Sequence, residues 1–243
     1  MKIYKGANYE EVSKIVADLI GSKVKADPEC VLGLATGSTP VGVYQELIRQ
    51  YEEGELDFSK VKTVNLDEYR GLSPENDQSY RFFMNHKLFD HINIDKDNTY
   101  IPDGLETDSK KACQEYEECL KKVGNPDIQL LGLGLNGHIG FNEPAEAFSK
   151  GTLCVDLTES TIKANSRFFD SMEQVPKQAY TMGIESIMAA KQIILMVTGA
   201  GKRDILRDAF YGSVNPKVPA SILQTHDDVI LVGDEEALGT NFD

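Results

Sequence analysis

Short apolar runs, each closed by a turn of small or polar residues and followed by a stretch of helical periodicity, recur along this chain. That alternation limits its fold more than any other feature. Cys30–Leu34, Val61–Leu66, Ile128–Leu133, Ile193–Thr198 and Val229–Val232 read as buried strands. Asn8 and Glu11 are spaced as a capping box and open a helix over 8–25, in which Val12, Ile15, Val16, Leu19 and Ile20 repeat at helical spacing. Pro40 sits where a first helical residue belongs, ahead of Val41–Tyr51. Further helices are expected over Ser79–Phe89, Asp108–Lys122, Thr161–Phe168 and Lys202–Tyr211, with another strand over Leu153–Leu157. Strands that are apolar throughout need cover on both faces, which a mainly parallel sheet between helices supplies. No repeat, low-complexity tract or Pro/Gly/Ser linker divides the chain, so residues 1–243 are expected to form a single α/β domain.

The 243 residues suffice to bury a core without disulfides or metals. The formal net charge is −14, from 39 acidic and 25 basic residues, and the basic residues form no run. Such a chain repels nucleic acid and anionic lipid, so neither is expected as a partner. An anionic small molecule can still bind where a few cations are placed locally. The N-terminus lacks an apolar signal core, and no stretch approaches the ~20 apolar residues of a membrane span, which makes a cytoplasmic location the expectation. Cys30, Cys113, Cys119 and Cys154 show neither Cys-x-x-Cys spacing nor His partners at ligand spacing. They read as ordinary thiols in a reducing compartment, and no metal site is expected.

In sheets of this kind, ligands bind beyond the carboxyl ends of the strands, so the residues after each strand hold the functional information. After the first come Ala35-Thr36-Gly37-Ser38-Thr39-Pro40. Gly37 permits close backbone approach, Ser38 and Thr39 offer hydroxyls, and a helix start follows: a phosphate cradle, or else a tight turn with a threonine cap. It is not a Walker loop, since no Gly-Lys-Ser/Thr follows. After the second come Asn65-Leu66-Asp67-Glu68-Tyr69, where a buried carboxylate at the crevice suits a general base or merely opens a loop. After Ile128–Leu133, Gly132, Gly134 and Gly137 match the dinucleotide fingerprint, and Asp156 lies about where its ribose-binding acid belongs. That fingerprint must open a long helix, however, and Gly140 and Pro144 interrupt the chain first. The alternative is a loop that presents His138 together with Glu143. After Ile193–Thr198, Gly199-Ala200-Gly201-Lys202 places a cation at a helix start, and upstream Arg167 lies among apolar neighbours. Either is a phosphate contact or a surface charge. Together these segments supply what proton transfer on a phosphorylated polyol needs.

The runs Ala35–Pro40, Asn65–Tyr69, Gly134–Pro144, Ala164–Asp170 and Gly199–Lys202 resemble the glucosamine-6-phosphate deaminase family, in its order and spacing over nearly the whole chain. Gly137-His138-Ile139-Gly140-Phe141-Asn142-Glu143-Pro144 is the most specific of them. The resemblance implies a Rossmann-like three-layer αβα fold and conversion of D-glucosamine 6-phosphate and water to D-fructose 6-phosphate and ammonia, without metal or organic cofactor. It makes His138 the base that opens the pyranose ring, assisted by Glu143 and Asn136, and Asp67 the base that moves the C2 proton to C1. Phosphate falls to Thr36, Gly37, Ser38, Thr39, Arg167 and Lys202, and a segment around 150–180 becomes a lid. Some relatives carry Asp at the position of Asn136; Asn can orient His138 by hydrogen bond but cannot lend it charge. The implied partner is a small sugar phosphate, with the chain a monomer or simple homo-oligomer. 6-Phosphogluconolactonases resemble this pattern too, but match Asn65–Tyr69 and Phe141–Pro144 less closely. A non-catalytic sugar-phosphate sensor would need a partner module that the sequence does not display.

Overall fold

The computed structural model describes residues 1–166, 169, 171 and 174–242. In chain order the elements are β1 (Lys2–Gly6), α1 (Tyr9–Ala26), β2 (Val31–Leu34), α2 (Val41–Glu52), β3 (Lys62–Asn65), β4 (Asp67–Tyr69), α3 (Tyr80–Lys87), β5 (Thr99–Tyr100) and α4 (Ser109–Val123). They continue as β6 (Ile128–Gly132), β7 (Leu153–Asp156), α5 (Glu159–Asn165), β8 (Gln178–Thr181), α6 (Ile184–Met188), β9 (Ile193–Val197), α7 (Arg203–Tyr211), β10 (Val229–Asp234) and α8 (Glu235–Leu238). Seven strands form one sheet in the order β1-β10-β9-β6-β2-β3-β5, and every pairing in it is parallel.

The central strands β2, β9 and β10 are largely apolar because both faces are covered. Along β9, Ile194 and Met196 enter the core under α1 and α2, with Val16, Ile20, Tyr44 and Leu47. Ile193, Leu195 and Val197 enter the opposite core, with Ile187 of α6, Leu206 of α7 and Leu238 of α8. Asn8 caps α1 by accepting from the Glu11 amide, Asp108 caps α4 and Ser79 caps α3, so the helix starts follow their local sequence signals. Pro40 stands at the cap of α2 rather than inside its first turn.

Successive connections from β2 run outward to β3 and β5, whereas those from β6 run the other way to β9 and β10. The reversal lies between the adjacent strands β2 and β6, and the loops after these strands carry Thr36–Thr39 and the His138 segment. A ligand crevice is expected at this kind of switch point.

Four strands lie outside the sequence reading, the two-residue edge strand β5 among them. β1 is a mostly exposed edge strand that lacks an apolar pattern and owes its conformation to pairing with β10. β4 and β8 form, with β7, a separate three-stranded antiparallel sheet in the order β4-β8-β7. Asp67 and Glu68 are thus strand residues rather than the start of a loop. The expected helix Thr161–Phe168 is α5, shifted toward the N-terminus, and Phe168 lies outside the described residues. All four cysteines are free thiols.

Candidate active site

The loop after β2 is stapled from two sides. Tyr44 donates to the Ala35 carbonyl, while the Tyr9 hydroxyl lies 3.1 Å from the Ser38 carbonyl and 3.0 Å from that of Thr39 and accepts from the Gly42 amide. No side chain caps α2, so a threonine cap is not what Thr39 provides. Gly37 adopts φ +86° with nothing within 4 Å of where a side chain would stand, which leaves the turn open toward the crevice.

Lys202 follows β9 and reaches the loop after β6, the strand that lies between β9 and β2. Its Nζ donates to the Leu133 carbonyl, and the adjacent Gly132 lies 3.5 Å from Thr39 Oγ1, measured from an ideal Cβ position. Burial lowers the pKa of the ammonium from its ordinary value. Among the described residues no carboxylate forms an ion pair with Lys202, and burial is the cause of its shift. A partly desolvated cation that pairs with no described carboxylate can receive an anion. Arg167, the other expected phosphate contact, lies outside the described residues.

Asp67 is 6% exposed and pairs with Thr181 across β4 and β8. Burial first, and the Glu68 charge second, push its pKa up to about 8, against a hydrogen bond with Thr36. Such a carboxylate binds a proton tightly, as a base that must abstract one from carbon requires. Glu68 behaves differently. It accepts from the backbone amides of Tyr69, Tyr80 and Arg81, the last two at the start of α3. Burial pushes it to about 7 against those bonds. Its role is to hold α3 to β4.

The glycines of the third loop serve an imidazole, and no dinucleotide helix follows them. A side chain on Gly134 would lie 2.4 Å from the His138 ring, so the ring folds flat against that glycine. The backbone turn is closed by the Gly134 amide donating to the His138 carbonyl at 2.9 Å. Gly140, at φ +58°, brings the chain within 3.7 Å of Asp67 Oδ2, again measured from an ideal Cβ. Two residues to which the sequence alone assigns no role set this approach. Thr181 accepts from the Phe141 amide, and Asn142 donates to the Ile139 and Met182 carbonyls. The small sheet that carries Asp67 therefore also clamps the His138 loop.

His138 Nδ1 stands 3.4 Å from Glu143 Oε2, within ion-pair range but without a hydrogen-bond partner. Asn136 donates its amide to the same oxygen and accepts from the His138 backbone amide at 3.2 Å. It orients Glu143 and the loop backbone, not the imidazole ring as the sequence alone suggests. Burial opposes ionisation of Glu143, but His138 and hydrogen bonds from Thr161 and Asn136 outweigh it and hold the carboxyl at about 2. Glu143 is also the link to a separate cavity of about 450 Å³, lined by Phe148, Leu153, Ile184 and Pro219 among others, which includes none of Asp67, His138 and Lys202. No group of three His, Cys, Asp or Glu side chains among the described residues is arranged to hold a metal ion.

Residues 5–231 match the family of glucosamine-6-phosphate isomerases and 6-phosphogluconolactonases. The chain is 55% identical over 237 residues to the glucosamine-6-phosphate deaminase of Clostridium perfringens (strain SM101), covering 98% of both chains. It is 52% identical over 232 residues to that of Lachnoclostridium phytofermentans, covering 96% of this chain and 98% of the other. A solved structure of a monomeric glucosamine-6-phosphate deaminase superposes with a TM-score of 0.95 at 43% identity, over the full length of both. The 6-phosphogluconolactonase of Trypanosoma brucei superposes at 0.78 with 19% identity, covering 100% of this chain and 98% of the other, a likeness of fold alone. The chain belongs to the glucosamine-6-phosphate isomerase/6-phosphogluconolactonase family.

Proposed function

We propose that this chain is a glucosamine-6-phosphate deaminase, which converts D-glucosamine 6-phosphate and water to D-fructose 6-phosphate and ammonia in amino-sugar catabolism. The observation that carries this reading is the joining of Asp67 to the His138 loop through Gly140 and Thr181, with an uncompensated Lys202 beside the Thr36–Thr39 turn at the same switch point.

In this reading the phosphate sits on Thr36, Gly37, Ser38, Thr39 and Lys202, with Arg167 as a further contact. His138, steadied by Glu143 and Asn136, moves the proton from O1 to the ring oxygen and so opens the pyranose. Asp67 then takes the C2 proton while O1 gains one from the C2 ammonium, giving an enolamine, and Asp67 returns its proton to C1. The resulting C2 iminium adds water and releases ammonia, which leaves the ketone of fructose 6-phosphate. No step asks for a redox partner or an external nucleophile other than water. The chain acts as one unit, with the segment around 150–180 as its lid, in the cytoplasm, as a monomer or simple homo-oligomer. Among the described residues no helix is long and apolar enough to cross a membrane.

A coupled assay for ammonia and fructose 6-phosphate tests the reading. Turnover of glucosamine 6-phosphate is the expected result. Hydrolysis of 6-phosphogluconolactone without ammonia release from the amino sugar would replace it with the lactonase activity.

A further inference from the structure

Glu143 divides its two oxygens between two parts of the molecule. Oε2 faces the loop after β6, where it meets Asn136 and His138. Oε1 faces α5, where Thr161 Oγ1 donates to it at 2.7 Å and Thr158 Oγ1 lies 3.4 Å away. The threonines are themselves joined. The Thr161 amide donates to Thr158 Oγ1 at 3.3 Å, and Thr158 Oγ1 donates to Thr161 Oγ1 at 3.0 Å. Amide, hydroxyl, hydroxyl and carboxylate form one directed chain in which each bond polarises the next toward Glu143.

Thr161 is 8% exposed, so its hydroxyl needs a partner inside the protein. A surface threonine on a short helix would serve as well with valine in its place. Here the hydroxyl reaches across to a carboxylate from another loop. Without it, Oε1 would lose its shortest hydrogen bond, and the carboxylate could turn away from the imidazole.

We propose that Thr161, seconded by Thr158, is a positioning residue of the reaction: its hydroxyl fixes the Glu143 carboxylate against His138. The inference rests on the deaminase reading, in which His138 and Glu143 act together. It also ties the first helix of the expected lid to the ring-opening pair.

Thr161→Val removes the hydroxyl and keeps the shape, whereas Thr161→Ser keeps the hydroxyl. The expected result for valine is a kcat about tenfold lower with KM within about twofold, the order set by one hydrogen bond to an ionised group. Serine should restore most of kcat. A second readout is independent of turnover. With ¹³C-labelled glutamate, the Glu143 carboxyl should titrate at higher pH in the valine variant than in the parent, because a bond favouring its charged form is gone. Thr158→Val should move both readouts in the same direction by less. Unchanged kcat and unchanged Glu143 titration in Thr161→Val would overturn the proposal, and so would a serine variant as impaired as the valine one. If the parent chain releases no ammonia, the deaminase reading fails by itself, while the Glu143 titration still reports whether the hydroxyl holds the carboxylate.

Discussion

Asp67 and Glu68 are consecutive residues of β4, and their carboxylates serve opposite sides of the strand. Asp67 turns to Thr36 and the Gly140 turn, whereas Glu68 accepts the amides that begin α3. One side chain is left available for proton transfer while its neighbour is consumed by structure. The second also raises the proton affinity of the first, since the Glu68 charge adds to the burial of Asp67.

Asp67→Asn should lower ammonia release by at least ~10²–10⁴-fold, the range for a lost general base, and should stop solvent-deuterium incorporation into the sugar phosphate. In the parent enzyme, kcat/KM should rise with pH and level off above about 8, as Asp67 ionises. Stability should move the other way. The folded-state pKa lies above the unfolded one, so the native state holds a proton that the unfolded chain has already released. The contribution of Asp67 is therefore present at low pH and is lost as pH rises toward about 8. The asparagine variant lacks this penalty. Thermal melts should show it gaining on the parent between pH 5 and pH 9, by at most a few kcal/mol on an order-of-magnitude basis. Full deuterium exchange in the variant would remove Asp67 as the base.

Glu68→Gln should destabilise the fold by about 1–3 kcal/mol, because an amide nitrogen must face one of the N–H donors that both carboxylate oxygens now satisfy. Removal of the neighbouring charge should also lower the pKa of Asp67, so the acid limb of kcat/KM should shift to lower pH. Urea denaturation and a pH–rate profile measure the two effects separately. A variant as stable as the parent would contradict the role assigned to Glu68.

The main sheet was open to reading because β2, β6 and β9 are apolar on both faces, a pattern that few arrangements satisfy. Their following loops could then be searched one by one. β4 could not be found this way: Asp-Glu-Tyr has no strand periodicity, and its conformation comes from pairing with Gln178–Thr181, far away in sequence. The clamp formed by Thr181 and Asn142 is likewise a tertiary contact without a local signal. Thr161 left a partial trace, since Thr158 three residues earlier caps α5, but nothing in the sequence points its hydroxyl at Glu143. The Gly-x-Gly-x-x-Gly match shows the opposite hazard. Gly134 is needed for the His138 ring to lie against it, and a pyrophosphate reading of the same letters is wrong.

Lys202→Ala should act mainly on binding. The phosphate is remote from C1 and C2, so its contacts stabilise ground and transition state alike. Loss of one charge-assisted contact should weaken binding by about 1.5–3 kcal/mol, which appears as a raised KM with a smaller change in kcat. Unphosphorylated glucosamine, tested at high concentration, should show no such difference between variant and parent. Normal KM for the sugar phosphate would mean that Lys202 does not hold the phosphate.

His138→Gln separates ring opening from the proton transfer that follows it. Glutamine can occupy the space over Gly134 and place an amide toward Glu143, but it cannot shuttle a proton between O1 and the ring oxygen. A small fraction of the amino sugar is open-chain in solution, and Asp67 remains intact to act on it. The variant should thus retain measurable ammonia release, limited by the supply of open-chain substrate. In the reverse direction the open-chain ketose forms without the enzyme, so the variant should lie closer to the parent there than in the forward direction. Asp67→Asn should show no such asymmetry, because both directions pass through the same proton transfer. Rates measured both ways for the two variants decide the point. Equal losses in the two directions for His138→Gln would place the imidazole in the carbon proton transfer itself, and the division of labour between His138 and Asp67 would have to be redrawn.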